Sequence, residues 1–143
     1  MKPDATILAF DFGTQRIGVA SGNTLTRSAQ PLTTIAVPRA ASAIDAVASL
    51  IEEWRPTRLV VGLPVHADGT PHAMTARARR FATGLEARFS LPVALVDERF
   101  TTQIAEAAMR TAGLGGRKGR ESRDAFAAQI ILQAWLDGAD EQI

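Results

Sequence analysis

The segment Thr6-Ile-Leu-Ala-Phe-Asp-Phe-Gly-Thr14 decides the fold class. Residues 6–12 form an apolar run typical of a buried strand, and Asp11 is the one carboxylate in that run. After the turn at Gly13-Thr14, residues 16–21 read as a second strand. So short a gap favours an antiparallel pair, because parallel neighbours need a connection of a dozen or more residues. We therefore predict a hairpin whose first strand ends in a carboxylate.

Strands and helices follow one another along the rest of the chain. The predicted strands are residues 6–12, 16–21, 30–37, 59–63 and 92–96, and the predicted helices are residues 42–54, 71–89, 101–112 and 122–136. The order βββαβαβαα predicts an α/β fold with a mixed five-stranded sheet. In that sheet a three-strand antiparallel meander is followed by two parallel strands, and helices cover both faces.

Capping residues mark two of the predicted helix starts. Ser42 with Asp45 resembles a capping box, and Thr70 followed by Pro71 is typical of a cap and a first helical position.

The last helix is predicted to follow a loop. Residues 114–121 are rich in glycine and basic side chains, which favours a loop, and Ser122 is predicted to cap the helix after it. Asp124 then falls in the first turn, where the helix dipole tolerates a carboxylate.

Length and composition limit the class of protein. The 143 residues suit a single domain spanning 1–143, and 46% hydrophobic with 22% charged residues excludes a disordered chain. No apolar run approaches the roughly 20 residues that cross a bilayer, and the N-terminus has no signal-peptide pattern. The absence of cysteine excludes disulfides and thiolate chemistry and agrees with a cytoplasmic location.

The net charge of +1 does not by itself indicate a nucleic-acid partner. The basic residues are nevertheless concentrated just before Asp124. They are Arg110, Arg117, Lys118, Arg120 and Arg123. Such a cluster suits a local contact with a polyanion, although a solvated loop explains it as well.

Carboxylates follow apolar strands in two places. Asp11 ends the first predicted strand, Asp97 and Glu98 follow the fifth, and Asp124 lies on the last helix. In an α/β sheet such groups collect at the carboxyl ends of the strands. Converging carboxylates need a cation, and oxygen ligands without cysteine favour Mg²⁺ or Mn²⁺, as one ion or a pair, for phosphodiester hydrolysis. A helix cap, a turn residue and a surface glutamate are the structural alternatives.

Four blocks of the sequence resemble the YqgF/RuvX family of Holliday junction resolvases, within the RNase H-like superfamily. The blocks are Asp11-Phe-Gly-Thr-Gln-Arg-Ile-Gly-Val-Ala20, Gly62-Leu-Pro64 with Asp68-Gly-Thr70, Asp97-Glu-Arg-Phe-Thr-Thr102, and Asp124 with Ala127-Ala128 and Ile131-Leu-Gln133. They occur in the family's order and extend over nearly the whole chain.

The resemblance implies an RNase H-like fold and a metal-binding acidic triad of Asp11, Glu98 and Asp124. It also implies a nuclease that matures the precursor of 16S ribosomal RNA, with cleavage of Holliday junction DNA as the alternative. The chain departs from the family in one loop, where His66 followed by Ala67 stands in place of a common asparagine. The substrate contacts of that loop therefore stay open.

Basic residues near the triad are the candidates for binding nucleic acid. They are Arg16, Arg99, Arg117, Lys118, Arg120 and Arg123. Arg16 could instead neutralise the acidic cluster, and Arg99 could form a structural salt bridge. The arginines at positions 77, 79, 80 and 88 are interpreted as the solvated face of a helix.

Two other classes of protein remain possible from the sequence. Asp11-Phe-Gly-Thr14 also resembles the phosphate motif of actin-like ATPases and sugar kinases, but those proteins need a second comparable domain. A non-catalytic nucleic-acid-binding module of the same fold is the other alternative. RNA or DNA as substrate, the metal and its number of ions, and a monomer or a weak homodimer also stay open.

Overall fold

A computed structural model describes residues 6–37, 42–64, 73–98 and 116–138, with side chains from residue 123 onward in the last range. Five strands and three helices lie in these ranges. The strands are β1 (Thr6–Asp11), β2 (Arg16–Asn23), β3 (Ser28–Ala36), β4 (Arg58–Leu63) and β5 (Val93–Asp97), and the helices are α1 (Ala43–Trp54), α2 (Thr75–Phe89) and α3 (Gly116–Leu136). The predicted helix at 101–112 lies outside the described residues.

The five strands form one mixed sheet in the order β3-β2-β1-β4-β5. β1 pairs with β2 and β2 with β3 in antiparallel fashion, whereas β4 runs parallel to both β1 and β5. The predicted meander followed by two parallel strands is confirmed. Because β1, β4 and β5 are parallel, Asp11, Leu63 and Asp97 end at one side of the molecule, which we call the C-terminal end of the sheet.

Helices cover both faces of the sheet, as predicted. Alternate side chains of β1 lie on opposite faces of the sheet. Ile7 and Ala9 pack against α3, and Leu8 and Phe10 pack against α1 and α2. Residues 7–10 are therefore fully buried, which explains their continuous apolar sequence. None of the helices in the described ranges is both long and apolar enough to cross a bilayer.

Helix α3 lies against the backbone of β2 at two glycines. A Cβ atom placed on Gly18 would overlap the carbonyl oxygen of Asp124, and one placed on Gly22 would lie 2.7 Å from Cδ2 of Leu132. Gly18 is also the cross-strand partner of Asp11 in the β1–β2 register. The absence of a side chain at Gly18 thus brings the Asp124 segment of α3 against the strand position next to Asp11.

The predicted start of the last helix is wrong. Helix α3 begins at Gly116 rather than after Ser122, so residues 116–121 are helical and not a loop, and Asp124 is in the third turn and not the first. Arginine, lysine and glutamate are good helix formers. The helix therefore extends from residue 122 back to Gly116 despite the two glycines in this stretch.

The predicted start of α2 is also wrong, whereas the capping of α1 is confirmed. Residues 73 and 74 form a turn and α2 begins at Thr75, four residues after Pro71, which lies outside the described residues. At the start of α1, Oγ of Ser42 accepts a hydrogen bond of 3.0 Å from the backbone N–H of Asp45.

The glycine contact under α3 gives a first testable prediction. Gly18→Ala should lower the free energy of unfolding by about 1–3 kcal/mol or more, because the new methyl group meets helix backbone that cannot move alone. Gly22→Ala is the matched control. Its methyl group meets mainly the end of the Leu132 side chain, which can rotate, so the loss should be smaller. Urea denaturation of both variants measures the difference, and equal losses would contradict this account.

Candidate active site

The structure brings together the three carboxyl groups of the predicted triad at the C-terminal end of the sheet. Asp11 is the last residue of β1, Glu98 directly follows β5, and Asp124 lies on α3. The side chains of Asp11 and Glu98 are hydrogen-bonded to each other, and the charge of Asp124 lies close enough to raise the pKa of Asp11. Asp11 is therefore the central member, in contact with one partner and in the field of the other.

Glu98 is held at this end of the sheet by the neighbouring strand. Its backbone N–H donates a hydrogen bond of 3.1 Å to the carbonyl oxygen of Leu63, which continues the β4–β5 pairing by one residue. Its carboxyl group lies over Gly62, where a Cβ atom would be 2.7 Å from Oε2 of Glu98. Gly62 thus leaves the space that the Glu98 carboxyl group occupies.

Burial and mutual repulsion make two of the carboxyl groups weak acids. The pKa of Asp11 is raised to about 7, first because the group is buried and second because Asp124 is negative, while the hydrogen bond with Glu98 acts in the opposite direction. The pKa of Glu98 is raised to about 9 by burial, by the charge of Asp11, by their hydrogen bond and by Asp97. In the absence of a cation, Glu98 therefore keeps its proton near neutral pH and donates a hydrogen bond to the Asp11 carboxylate.

Arg16 neutralises the third carboxylate. Its Nε donates a hydrogen bond of 2.7 Å to Oδ2 of Asp124, and the two side chains are 35% and 24% exposed. Together with Asp11 and residues 12–15, they line a cavity of about 260 Å³. Arg16 was considered both as a phosphate contact and as a counter-ion of the acidic cluster. The structure shows the second contact, the ion pair with Asp124. The Nη groups of the guanidinium are further donors beside the same cavity.

The donor set is chemically suited to a hard divalent cation. Three carboxyl groups share this site with one described arginine, and burial first and mutual repulsion second raise the pKa values of Asp11 and Glu98. Mg²⁺ and Mn²⁺ prefer such oxygen ligands. Among the described residues, no group of three or more His, Cys, Asp and Glu side chains already has the geometry of a metal site. Glu98 is turned towards Asp11, and Asp124 towards Arg16.

The predicted basic residues are described to different extents. Arg123 is exposed and directly precedes Asp124 on α3. Arg117, Lys118 and Arg120 belong to the first two turns of α3, but their side chains lie outside the description, as do Arg99 and the loop with His66 and Ala67.

Two glycines create the space for the site. From the sequence, Gly18 is expected to permit close approach of backbone or ligand, with a turn or packing function as the alternative, and Gly62 is expected to shape the rim of the site. In the structure Gly18 admits the Asp124 segment and Gly62 admits the Glu98 carboxyl group. The available signal was a glycine inside an otherwise apolar strand, which often marks close approach of another group.

Comparisons with known proteins identify the family. The family model described as RuvX, Holliday junction resolvase, matches residues 5–138. The chain belongs to the RuvX family. A Burkholderia multivorans relative named "putative pre-16S rRNA nuclease" is 54% identical over 134 residues, which are 94% of this chain and 90% of the relative. A Dechloromonas aromatica relative of the same name is 51% identical over 132 residues, 92% of this chain and 90% of the relative.

Solved structures establish the fold of this RuvX family member. RuvC from T. thermophilus, in complex with a Holliday junction substrate, superposes with a TM-score of 0.57 at 18% identity. The match covers 96% of this chain and 99% of that one. The Fowlpox virus resolvase, solved with Holliday junction DNA, gives a TM-score of 0.61 at 9% identity, covering 92% and 97%. At these identities the likeness concerns the fold alone, and it confirms the predicted RNase H-like class. By family, the chain is a nuclease.

The raised pKa values give a second prediction, which concerns stability. Unfolded carboxyl groups ionise near pH 4, whereas these two ionise at about 7 and about 9 in the fold. The folded state therefore binds more protons across that window, and the free energy of unfolding in chelator should fall as the pH rises from about 4 to about 9. Asp11→Asn should raise it at alkaline pH by about 1–3 kcal/mol, because it removes a charge beside Glu98.

Asp45→Asn is the matched control for this stability measurement. Asp45 is exposed and its pKa is lowered, first by its hydrogen bond with Arg88, so its replacement should bring no gain at alkaline pH. Denaturant titrations at several pH values compare the three proteins. A wild-type stability that increases towards alkaline pH would contradict the repulsion that we describe.

Proposed function

We propose that this RuvX family member is a divalent-metal-dependent endonuclease that hydrolyses phosphodiester bonds in the precursor of 16S ribosomal RNA. The observation that carries the proposal is the meeting of Asp11, Glu98 and Asp124 at the C-terminal end of the sheet, with the pKa values of two of them raised. Ionising these neighbouring carboxyl groups is unfavourable in the free protein and becomes favourable when a cation binds beside them. We further propose that the protein acts in the cytoplasm.

In this proposal the three carboxyl groups are the ligands of Mg²⁺ or Mn²⁺, as two ions. When bound, such a pair would activate a water molecule and stabilise the leaving oxygen of an in-line displacement at phosphorus. Glu98 would have to lose its proton to become a ligand beside Asp11, since only the ionised carboxylate holds such a cation.

Basic residues around the site would hold the substrate. Arg16 holds Asp124 in place through Nε, and its Nη groups are available to a phosphate oxygen beside the same cavity. Arg123 is exposed next to Asp124. We propose the same role for Arg99, Arg117, Lys118 and Arg120, because they flank Glu98 and Asp124 in sequence. Phosphate contacts of this kind position a backbone without reading its bases.

The choice of RNA rests on the names of the relatives, and a DNA substrate is the second candidate. The family description names a Holliday junction resolvase, and the similar RuvC and Fowlpox virus structures hold junction DNA. Cutting a junction symmetrically requires two sites and hence a dimer, whereas trimming an RNA precursor is possible for a monomer. We propose a monomer or a weak homodimer, with structured RNA as the preferred substrate.

A cleavage assay with matched substrates tests the proposal. Labelled RNA carrying a precursor end of 16S ribosomal RNA and a four-way DNA junction are incubated with Mn²⁺, Mg²⁺ or chelator. We expect RNA cleavage that depends on the metal and falls by roughly 100-fold or more in Asp11→Asn, since triad members act as a unit. Asp45→Asn, the same change on the exposed surface of α1, should cut like the wild type.

The other results each favour a different function. Cleavage of the junction alone would replace RNA processing by junction resolution. Full activity of Asp11→Asn would refute the assignment of the site. Binding of either nucleic acid without cleavage of any would favour a non-catalytic module of this fold.

A further inference from the structure

Helix α2 begins next to the candidate active site. The Oγ1 of Thr75, its first residue, donates a hydrogen bond to the carbonyl oxygen of Pro64. Pro64 directly follows Leu63, whose carbonyl oxygen accepts the hydrogen bond from the Glu98 backbone. Two hydrogen bonds and one peptide bond therefore connect the start of α2 with a member of the acidic triad. The first residues of α2 lie at the C-terminal end of the sheet.

Three exposed arginines occupy this part of α2. Arg77, Arg79 and Arg80 fall within its first six residues, which is about 8 Å of helix. Arg79 also lines a cavity of about 320 Å³ with Glu86 of the same helix and with Val93 and Leu95 of β5. We call these three residues the α2 arginine cluster.

Within the described residues, Arg77, Arg79 and Arg80 form no ion pair, unlike Arg88 of the same helix. The ion pairs found within the described residues join Arg16 to Asp124 and Arg88 to Asp45. Arg88, in the last turn of α2, is thus neutralised and lies where the helix dipole favours a cation. The cluster lies at the opposite end, where the dipole disfavours cations, and the first turn holds no acidic residue.

This arrangement is unfavourable for the free helix. Like charges three positions apart on a helix, such as Arg77 and Arg80, repel each other, and the positive helix end adds to the repulsion. Glutamine or alanine at these exposed positions would form the helix at least as well. Repulsive charges beside a nuclease site indicate an external anion, which relieves both effects when it binds.

We propose that the α2 arginine cluster binds the phosphate backbone of the nucleic-acid substrate next to the scissile phosphodiester. The inference rests on the proposed function, and it adds a second contact on the opposite face of the sheet from α3. A strand that reaches the triad between α3 and α2 meets cations on both sides. The contact is to phosphate and independent of base sequence, and it therefore contributes through release of counterions.

The test measures binding separately from cleavage. The triple variant Arg77→Gln, Arg79→Gln, Arg80→Gln is made in the Asp11→Asn background, and Kd for the labelled RNA and for the DNA junction is measured in chelator at several salt concentrations. The slope of log K against log salt is negative for phosphate contacts. In the triple variant we expect this slope to become less steep, by about 2 for single strands and by nearly 3 for duplex arms. The same substitutions by lysine keep the charge and should keep most of the slope.

Arg88→Gln is the matched control on the same helix, and it should bind like the parent protein. Circular dichroism and thermal unfolding establish that the triple variant is folded, as the similar helix propensities of glutamine and arginine predict. Unchanged Kd and slope in the folded triple variant would overturn the proposal, and so would an equal loss in Arg88→Gln. If the wild type cleaves and the triple variant binds as tightly as its parent, the proposed role of the α2 arginine cluster is refuted and the proposed function stands. Arginine-dependent binding without any cleavage refutes the proposed function and retains the cluster.

Discussion

The close contact between the backbone of α3 at Asp124 and Gly18 of β2 is the constraint on which the site depends. Gly18 is opposite Asp11 in the sheet. Because Gly18 has no side chain, α3 can approach closely enough to place Asp124 near Asp11. A second missing side chain, at Gly62, leaves the space for Glu98 from the other direction. Packing therefore gathers three groups that electrostatics would separate, and the hydrophobic core on both faces supplies the force that holds them.

The repulsion inside the site is relieved differently for each carboxyl group. Glu98 retains a proton and donates a hydrogen bond to Asp11, whereas Asp124 takes the guanidinium of Arg16 as a counter-ion. Both solutions are reversible. A proton can leave and an arginine can shift to share a carboxylate, so the same residues can accommodate cations without any change in the sheet that carries them. In the proposed function, Glu98 would turn from Asp11, and Asp124 from Arg16, to hold a divalent cation.

The sheet could be predicted from the sequence because its signals are local. Apolar runs mark the strands, and the gap at residues 12–15 is too short for a parallel connection, so the meander follows from chain length alone. The start of α3 could not be predicted, since glycine and basic residues before Ser122 have the composition of a loop. Asp11 and Glu98 were recognisable by their position at strand ends. Close approach at Gly18 could also be expected, but the groups that approach Gly18 and Gly62 could not be identified, because they come from distant parts of the chain.

Net charge is the wrong quantity for judging whether this fold can bind a polyanion. The sum of +1 combines acids that are buried together at the C-terminal end of the sheet, partly protonated or paired, with arginines that are exposed around them. A strand approaching from solvent meets the exposed cations first, within a Debye length of roughly 8–10 Å, and meets the acids only at the centre of the site. Binding and catalysis thus make opposite electrostatic demands, and the molecule satisfies them by placing the two signs of charge at different depths.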